Sequence, residues 1–225
     1  MPNLPTAAGV FVPGFLNTCN STSPSGQGDA YGNVYPSGLA PGKVVQLGTS
    51  EAQSLAAPGT TLFDGAYQWV LLDSGATAAN ALAGMAAYIR LDSGATVGSI
   101  PESDYDNLSV TTYDQVTNQS AASLAAGVFI NPATVGGVAT APTPGNWCFI
   151  FVGGGRVKVN IATATGTTIG NSVSYNGSTN SGFTSNNSNT VDATTLGVAA
   201  TVPSTANGCV VWVDAVRIRV GNQGV

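Results

Sequence analysis

The chain has 225 residues, 43% of them hydrophobic and only 8% charged; six Lys and Arg against eleven Asp and Glu give a net charge of −5, with no histidine. A soluble domain is ordinarily about 25% charged. Six scattered cations (Lys43, Arg90, Arg156, Lys158, Arg217, Arg219) leave no footprint for nucleic acid, and without histidine neither a Ser-His or Cys-His nucleophile pair nor a His-based metal site can be built.

Residues 1–60 are punctuated by seven of the twelve prolines, interleaved with glycines. Proline removes a backbone donor and glycine loses the most entropy on ordering, so neither a long helix nor a central strand is expected there. The segment reads as an extended arm, the alternative being a disordered tail. Its short apolar pieces, Phe11 and Val12, Phe15 and Leu16, and Val44, Val45 and Leu47, are the candidates for contact with a partner surface. Met1-Pro2-Asn3-Leu4-Pro5 lacks the basic and apolar regions of a signal peptide, and no apolar run approaches a membrane span, so the expectation is synthesis in a cytosol-like compartment without membrane contact.

Residues 61–225 are expected to form a β-rich domain. Leu62–Leu72 carries aromatic and β-branched residues and predicts a strand ending near Leu72. Ala76–Ile89 is Ala-rich, with Leu82, Met85 and Ile89 at helical spacing, and predicts a short helix; Ser120–Ala126 is a weaker helical candidate. From 125 to 222 the texture becomes regular. Short apolar or alternating runs appear at Val128–Ile130, Trp147–Val152, Arg156–Ile161, Ser172–Tyr175, Thr195–Ala199, Val210–Val213 and Val216–Val220, separated by Gly, Asn and Pro. This is the pattern of a mainly β fold, a small antiparallel sandwich or barrel. Trp147–Val152 and Arg156–Ile161, joined by three glycines, predict a hairpin. Arg156, Lys158, Arg217 and Arg219 fall on the polar phase of alternating strands, where they mark a wet face and discourage edge pairing. The uncharged Ser178–Thr190 stretch, with one aromatic residue, predicts a long surface loop. Three cysteines without CxxC spacing (Cys19, Cys148, Cys209) read as structural thiols.

The sharpest local motif is Leu71-Leu72-Asp73-Ser74-Gly75-Ala76-Thr77, which resembles the Asp-Ser/Thr-Gly-Ala signature of retropepsin-type proteases, with a second copy at Leu91–Thr96. An aspartic dyad needs two carboxylates about 3 Å apart on equivalent lobes. Copies separated by 19 residues cannot each anchor a lobe. A pair of Asx-type turns, with the glycine at positive φ, explains the same residues. Glu102, Asp104 and Asp106 lack the Gly and distal Glu of an EF-hand and read as a solvated loop. No nucleophile–base pair can be assembled from the remainder. The chain therefore reads as non-enzymatic, with no catalytic residue, metal site or cofactor expected. Trp69, Trp147 and Trp212 are possible stacking platforms for a glycan-binding adhesin, although core packing is the ordinary role of a tryptophan.

Ala126–Pro132, Thr143–Val159 and Gly208–Val213 together resemble the small β-domains of tailed-bacteriophage head proteins. There a Gly-Val-apolar strand is followed by Pro-Gly-Asn-aromatic, an apolar strand, a Gly-rich turn and an Arg/Lys-Val strand. The resemblance implies a capsid decoration (cement) protein, commonly a trimer, on the outer surface of the virion head. Made in the host cytoplasm, such a protein clamps neighbouring subunits of the major capsid protein, and an extended arm suits that role. A tail, fibre or baseplate component is the related alternative; a retropepsin-like protease using Asp73 is the alternative of another class.

Overall fold

The computed structural model describes residues 42–55, 63–90, 109–112, 125–130, 134–135, 138–139, 142–176, 182–186 and 194–216. In chain order these form β1 (Val44–Leu47), helix α1 (Thr49–Leu55), β2 (Gly65–Leu72), β3 (Ala86–Ile89), β4 (Ser109–Thr111), β5 (Ala125–Phe129), β6 (Thr134–Val135), β7 (Val138–Ala139), β8 (Trp147–Gly153), β9 (Gly155–Val159), β10 (Ile161–Ala164), β11 (Ser172–Tyr175), β12 (Phe183–Ser185), β13 (Thr195–Ala199) and β14 (Cys209–Val213). The fold is mainly β, as the spacing of apolar runs predicts. No helix among the described residues is long and apolar enough to cross a membrane.

Two layers carry the architecture. In the first, the order β2-β4-β3-β5-β8 closes on itself through pairing of β8 with β2, giving a five-stranded barrel with β1 added antiparallel to the first half of β2. In the second, six strands run in the order β10-β12-β11-β13-β14-β9. Strands β9 and β10 stand at opposite ends of that order, yet only Asn160 separates them in the chain. The sheet must therefore curl until its two ends meet at Asn160. Most pairings are antiparallel; β2 with β4 and β10 with β12 are parallel. Strands β6 and β7 form a small separate ladder.

Side-chain alternation along β2 and β8 builds two cores. One phase (Ala66, Val70, Leu72, Cys148, Ile150, Val152) joins Ala87, Val110, Ala126 and Phe129 in a cluster drawn from all five barrel strands, which is the barrel interior. The other phase (Tyr67, Trp69, Trp147, Phe149, Phe151) joins Tyr88 and Val128 and meets Val157, Val159, Val173, Phe183, Val211 and Val213 of the second sheet. Trp69 stacks on Trp147 at 6.0 Å and 21° and lies 4.8 Å from Phe149, while Tyr67 meets Phe151 edge-on. Strands buried on both faces lose the polar alternation of a half-exposed strand. This is why Trp147–Val152 is continuously apolar.

Several expectations are corrected. Trp147–Val152 and Arg156–Ile161 do not form a hairpin: β8 pairs with β2 and β5, whereas β9 pairs with β14. The glycines instead carry the chain from one layer to the other. A Cβ on Gly153, at φ +123, would lie 2.0 Å from Ala215 O, and one on Gly155 would lie 2.0 Å from Asp64 O, so only glycine fits this crossing. The Arg156–Ile161 run is itself divided, Ile161 starting β10. The helix expected over Ala76–Ile89 is absent. A single 3₁₀ turn at Ala78–Asn80 is followed by Gly84 at φ +85, whose N–H goes to Phe129 O, and then by β3. Ala86, Ala87 and Tyr88 are consecutively buried, alternating between the two cores, a period of two that overrides the helical spacing of Leu82, Met85 and Ile89. Ala125 and Ala126, expected in a helix, lie in β5. The low-complexity stretch contains β12, with Phe183 fully buried between the layers.

Residues 1–41, including Phe11, Val12, Phe15 and Leu16, lie outside the described residues. The part of the expected arm that is described belongs to the fold. Val44, Val45 and Leu47 sit in β1, with Val45 and Leu47 buried in the interlayer core and Val44 packed against the barrel cluster. Helix α1 follows, begun by Gly48, whose N–H is accepted by Glu51 Oε2 at 2.8 Å. This is one half of a capping box, the acidic residue of the first turn reaching back to the residue before the helix.

Candidate interaction surface

Strands β13, β14 and β9 expose one face away from the interlayer core. Along β14, Cys209, Val211 and Val213 are buried, Val210 is half-buried and Trp212 is exposed. Along β9, Val157 and Val159 are buried while Arg156 is half-buried and Lys158 exposed, which is the polar phase expected for these two cations. Cross-strand register places Val198 and Arg156 on either side of Trp212, and Lys158 opposite Val210. Trp212 is 44% exposed and Val198 38%. The Trp212 indole N–H donates to the Asp214 carboxylate. Arg156 is fixed just as firmly: its Nε and Nη2 donate to Asp64 Oδ1 at 3.0 and 2.8 Å, and its guanidinium lies over the Phe63 ring. The face is thus an apolar centre with a rim of both charge signs.

The three tryptophans therefore differ. Trp69 and Trp147 are core residues, 0% and 3% exposed, and Trp212 alone of the three presents its ring outward. Its signal is legible in the sequence. Trp212 shares the strand phase of Asp214, and the opposite phase carries Val211 and Val213.

The Asp73 segment makes a tight turn, with Ala76 N–H donating to Asp73 O at 3.0 Å. Gly75 is not at positive φ, a correction to the expected glycine geometry; Gly84 is the positive-φ residue of this region. The Asp73 carboxylate, 12% exposed, faces Arg90 at 3.5 Å. The second copy, Leu91–Thr96, and the acidic Glu102–Asp106 cluster lie outside the described residues. No group of three or more His, Cys, Asp or Glu gathers among the described residues.

Comparison of the chain with protein-family models, with curated proteins and with solved structures gave no match. Cys148 and Cys209 are free and buried. Burial pushes the Cys148 thiol up to about 12 and the Cys209 thiol up to about 11. Neither is a poised nucleophile, since reactivity belongs to the thiolate. Cys19 lies outside the described residues. Between β5 and β8 on one side and β11, β13 and β14 on the other, a cleft lined by Ala125, Gly127, Phe151, Tyr175 and Leu196 encloses about 20 Å³, the space of one water.

Proposed function

We propose that the chain is a non-enzymatic structural protein of a virion, a decoration or cement protein on the outside of a tailed-phage head. There it stabilises contacts between major capsid subunits, as a homo-oligomer, and as a trimer where the family habit holds. The observation that supports this reading best is how the scarce charge is used. Arg90 faces Asp73 and Arg156 grips Asp64, so two of the six cations of an already sparsely charged chain are neutralised within the molecule. Isolated soluble proteins keep charge for solubility, whereas a subunit covered by neighbours in a lattice does not need it. Repetition on a lattice also lets individually weak contacts sum to firm attachment.

Val45 and Leu47 serve the core, so capsid contact from the N-terminal region falls to Phe11, Val12, Phe15 and Leu16. Purified protein mixed with heads from the same source should co-sediment with them, and replacing those four residues by serine should reduce the bound fraction at least tenfold. Absence of co-sedimentation would sink the reading. Immunogold labelling of intact particles separates head from tail, fibre or baseplate. The protease alternative predicts a cleavage activity that disappears in Asp73→Asn.

A further inference from the structure

We propose that the Trp212 face of β9, β14 and β13 is a binding platform for a neutral carbohydrate. A pyranose ring offers an apolar face of C–H groups bordered by hydroxyls that both donate and accept hydrogen bonds. The Trp212 face has the matching layout. Its centre is the exposed indole with Val198 beside it. Its rim holds an exposed ammonium at Lys158, the guanidinium of Arg156 and the exposed carboxylate of Asp214.

Charge selects among ligands. Arg156 is already paired with Asp64, and Lys158 and Asp214 add one exposed charge of each sign. A polyanion such as nucleic acid needs a field of cations that this face lacks. A neutral ligand loses nothing from that balance.

Preorganisation strengthens the case. The indole is anchored by its own N–H to Asp214, and Arg156 is fixed by two hydrogen bonds and the Phe63 ring. A long side chain such as Arg is costly to order on binding when it begins free. Here the fold orders Arg156 first. A tryptophan supplies a large rigid contact area with only two side-chain torsions. The face is open rather than a pocket, so a single sugar chain should bind with a dissociation constant of about 1 mM, strengthened when many copies engage together. This inference stands apart from the virion reading, since capsid sedimentation and sugar binding are separate measurements.

Intrinsic fluorescence tests it directly, because Trp69 and Trp147 are buried and Trp212 is exposed. The intact protein is titrated separately with cellohexaose, maltohexaose, laminarihexaose and chitohexaose, up to about 10 mM, tenfold above the expected constant. At least one should shift the emission to the blue. Trp212→Ala should abolish the shift and any retention on the matching immobilised polysaccharide, with an unchanged thermal midpoint. Trp212→Phe should retain binding, weakened by about three- to tenfold. Lack of response to all four sugars overturns the proposal, as does binding that survives Trp212→Ala. Concentration-dependent self-association lost in Trp212→Ala also overturns it, by giving the face to a second copy of the chain.

Discussion

The barrel interior and the space between the layers are built from the same strands but filled with different side chains. Along β8, Cys148, Ile150 and Val152 enter the barrel, while Trp147, Phe149 and Phe151 point at the second sheet. Along β3, Ala87 goes inward and Tyr88 outward. Barrel diameter grows with strand number, and about eight strands already give an interior just wide enough for side chains to fill. Five strands leave a narrower lumen, which Ala, Val and other aliphatic residues mostly occupy, with Phe129 the one aromatic ring of that cluster among the described residues. Facing sheets stand about 10 Å apart, a gap that aromatic rings fill. The run Trp-Cys-Phe-Ile-Phe-Val thus alternates in size where a half-exposed strand would alternate in polarity.

That difference sets the direction in which each core can be damaged. The largest effect is expected at Trp69, which stacks on Trp147 and touches Phe149. Trp69→Ala should lower unfolding free energy by about 3–5 kcal/mol in denaturant titration, the range for emptying a large aromatic site. The barrel should fail in the opposite sense. Ala87→Leu adds volume to a full lumen and should cost about 1–3 kcal/mol, whereas a neutral result would show that the lumen has room and would break the contrast. The smallest effect concerns the thiols, one in each core. Both are held above the ordinary value of 9.0, Cys148 further than Cys209. A group whose folded value is raised favours the folded state while protonated. Its contribution is complete below pH 9 and is lost as pH rises through about 11 for Cys209 and about 12 for Cys148. Stability should therefore be flat in this respect near pH 7 and fall above pH 9. Cys148→Val should flatten that fall more than Cys209→Val, as read by urea midpoints across the alkaline range.

Legibility in the sequence followed burial on one face. Strands β9, β11, β13 and β14 lie close to where the apolar runs and their flanking turns place them. Strand β8 was visible as an apolar run, but its partner was not. Three glycines between two apolar runs read as a hairpin, and only the close approach of Ala215 O and Asp64 O to those glycines reveals a crossing between layers. Strand β3 was hidden because alanine favours helix locally while two-sided burial demands a strand. Phe183 was hidden because one aromatic residue in a polar tract carries no period. Helix α1 lies in a segment dominated by Pro and Gly and is too short to show an apolar period; its one local signal is the capping-box spacing of Gly48 and Glu51. At the surface, the polar phase of β9 was readable, and Trp212 became distinct only when its strand phase was compared with those of Trp69 and Trp147.

The crossing at Gly154 also governs the order in which the molecule is completed. Trp69 lies opposite Phe149 in the closed barrel, eighty residues further along the chain. At a synthesis rate of about 5–20 residues per second, β2 waits several seconds before its closing strand exists. Once β8 arrives, its aromatic face is fully covered only when β14, the strand that pairs with β9, has followed. Long-range pairings of this kind fold slowly. The nascent chain therefore carries Tyr67 and Trp69 unburied through most of its synthesis and Phe149 and Phe151 through the last part of it, and that surface has to be held apart from other chains meanwhile.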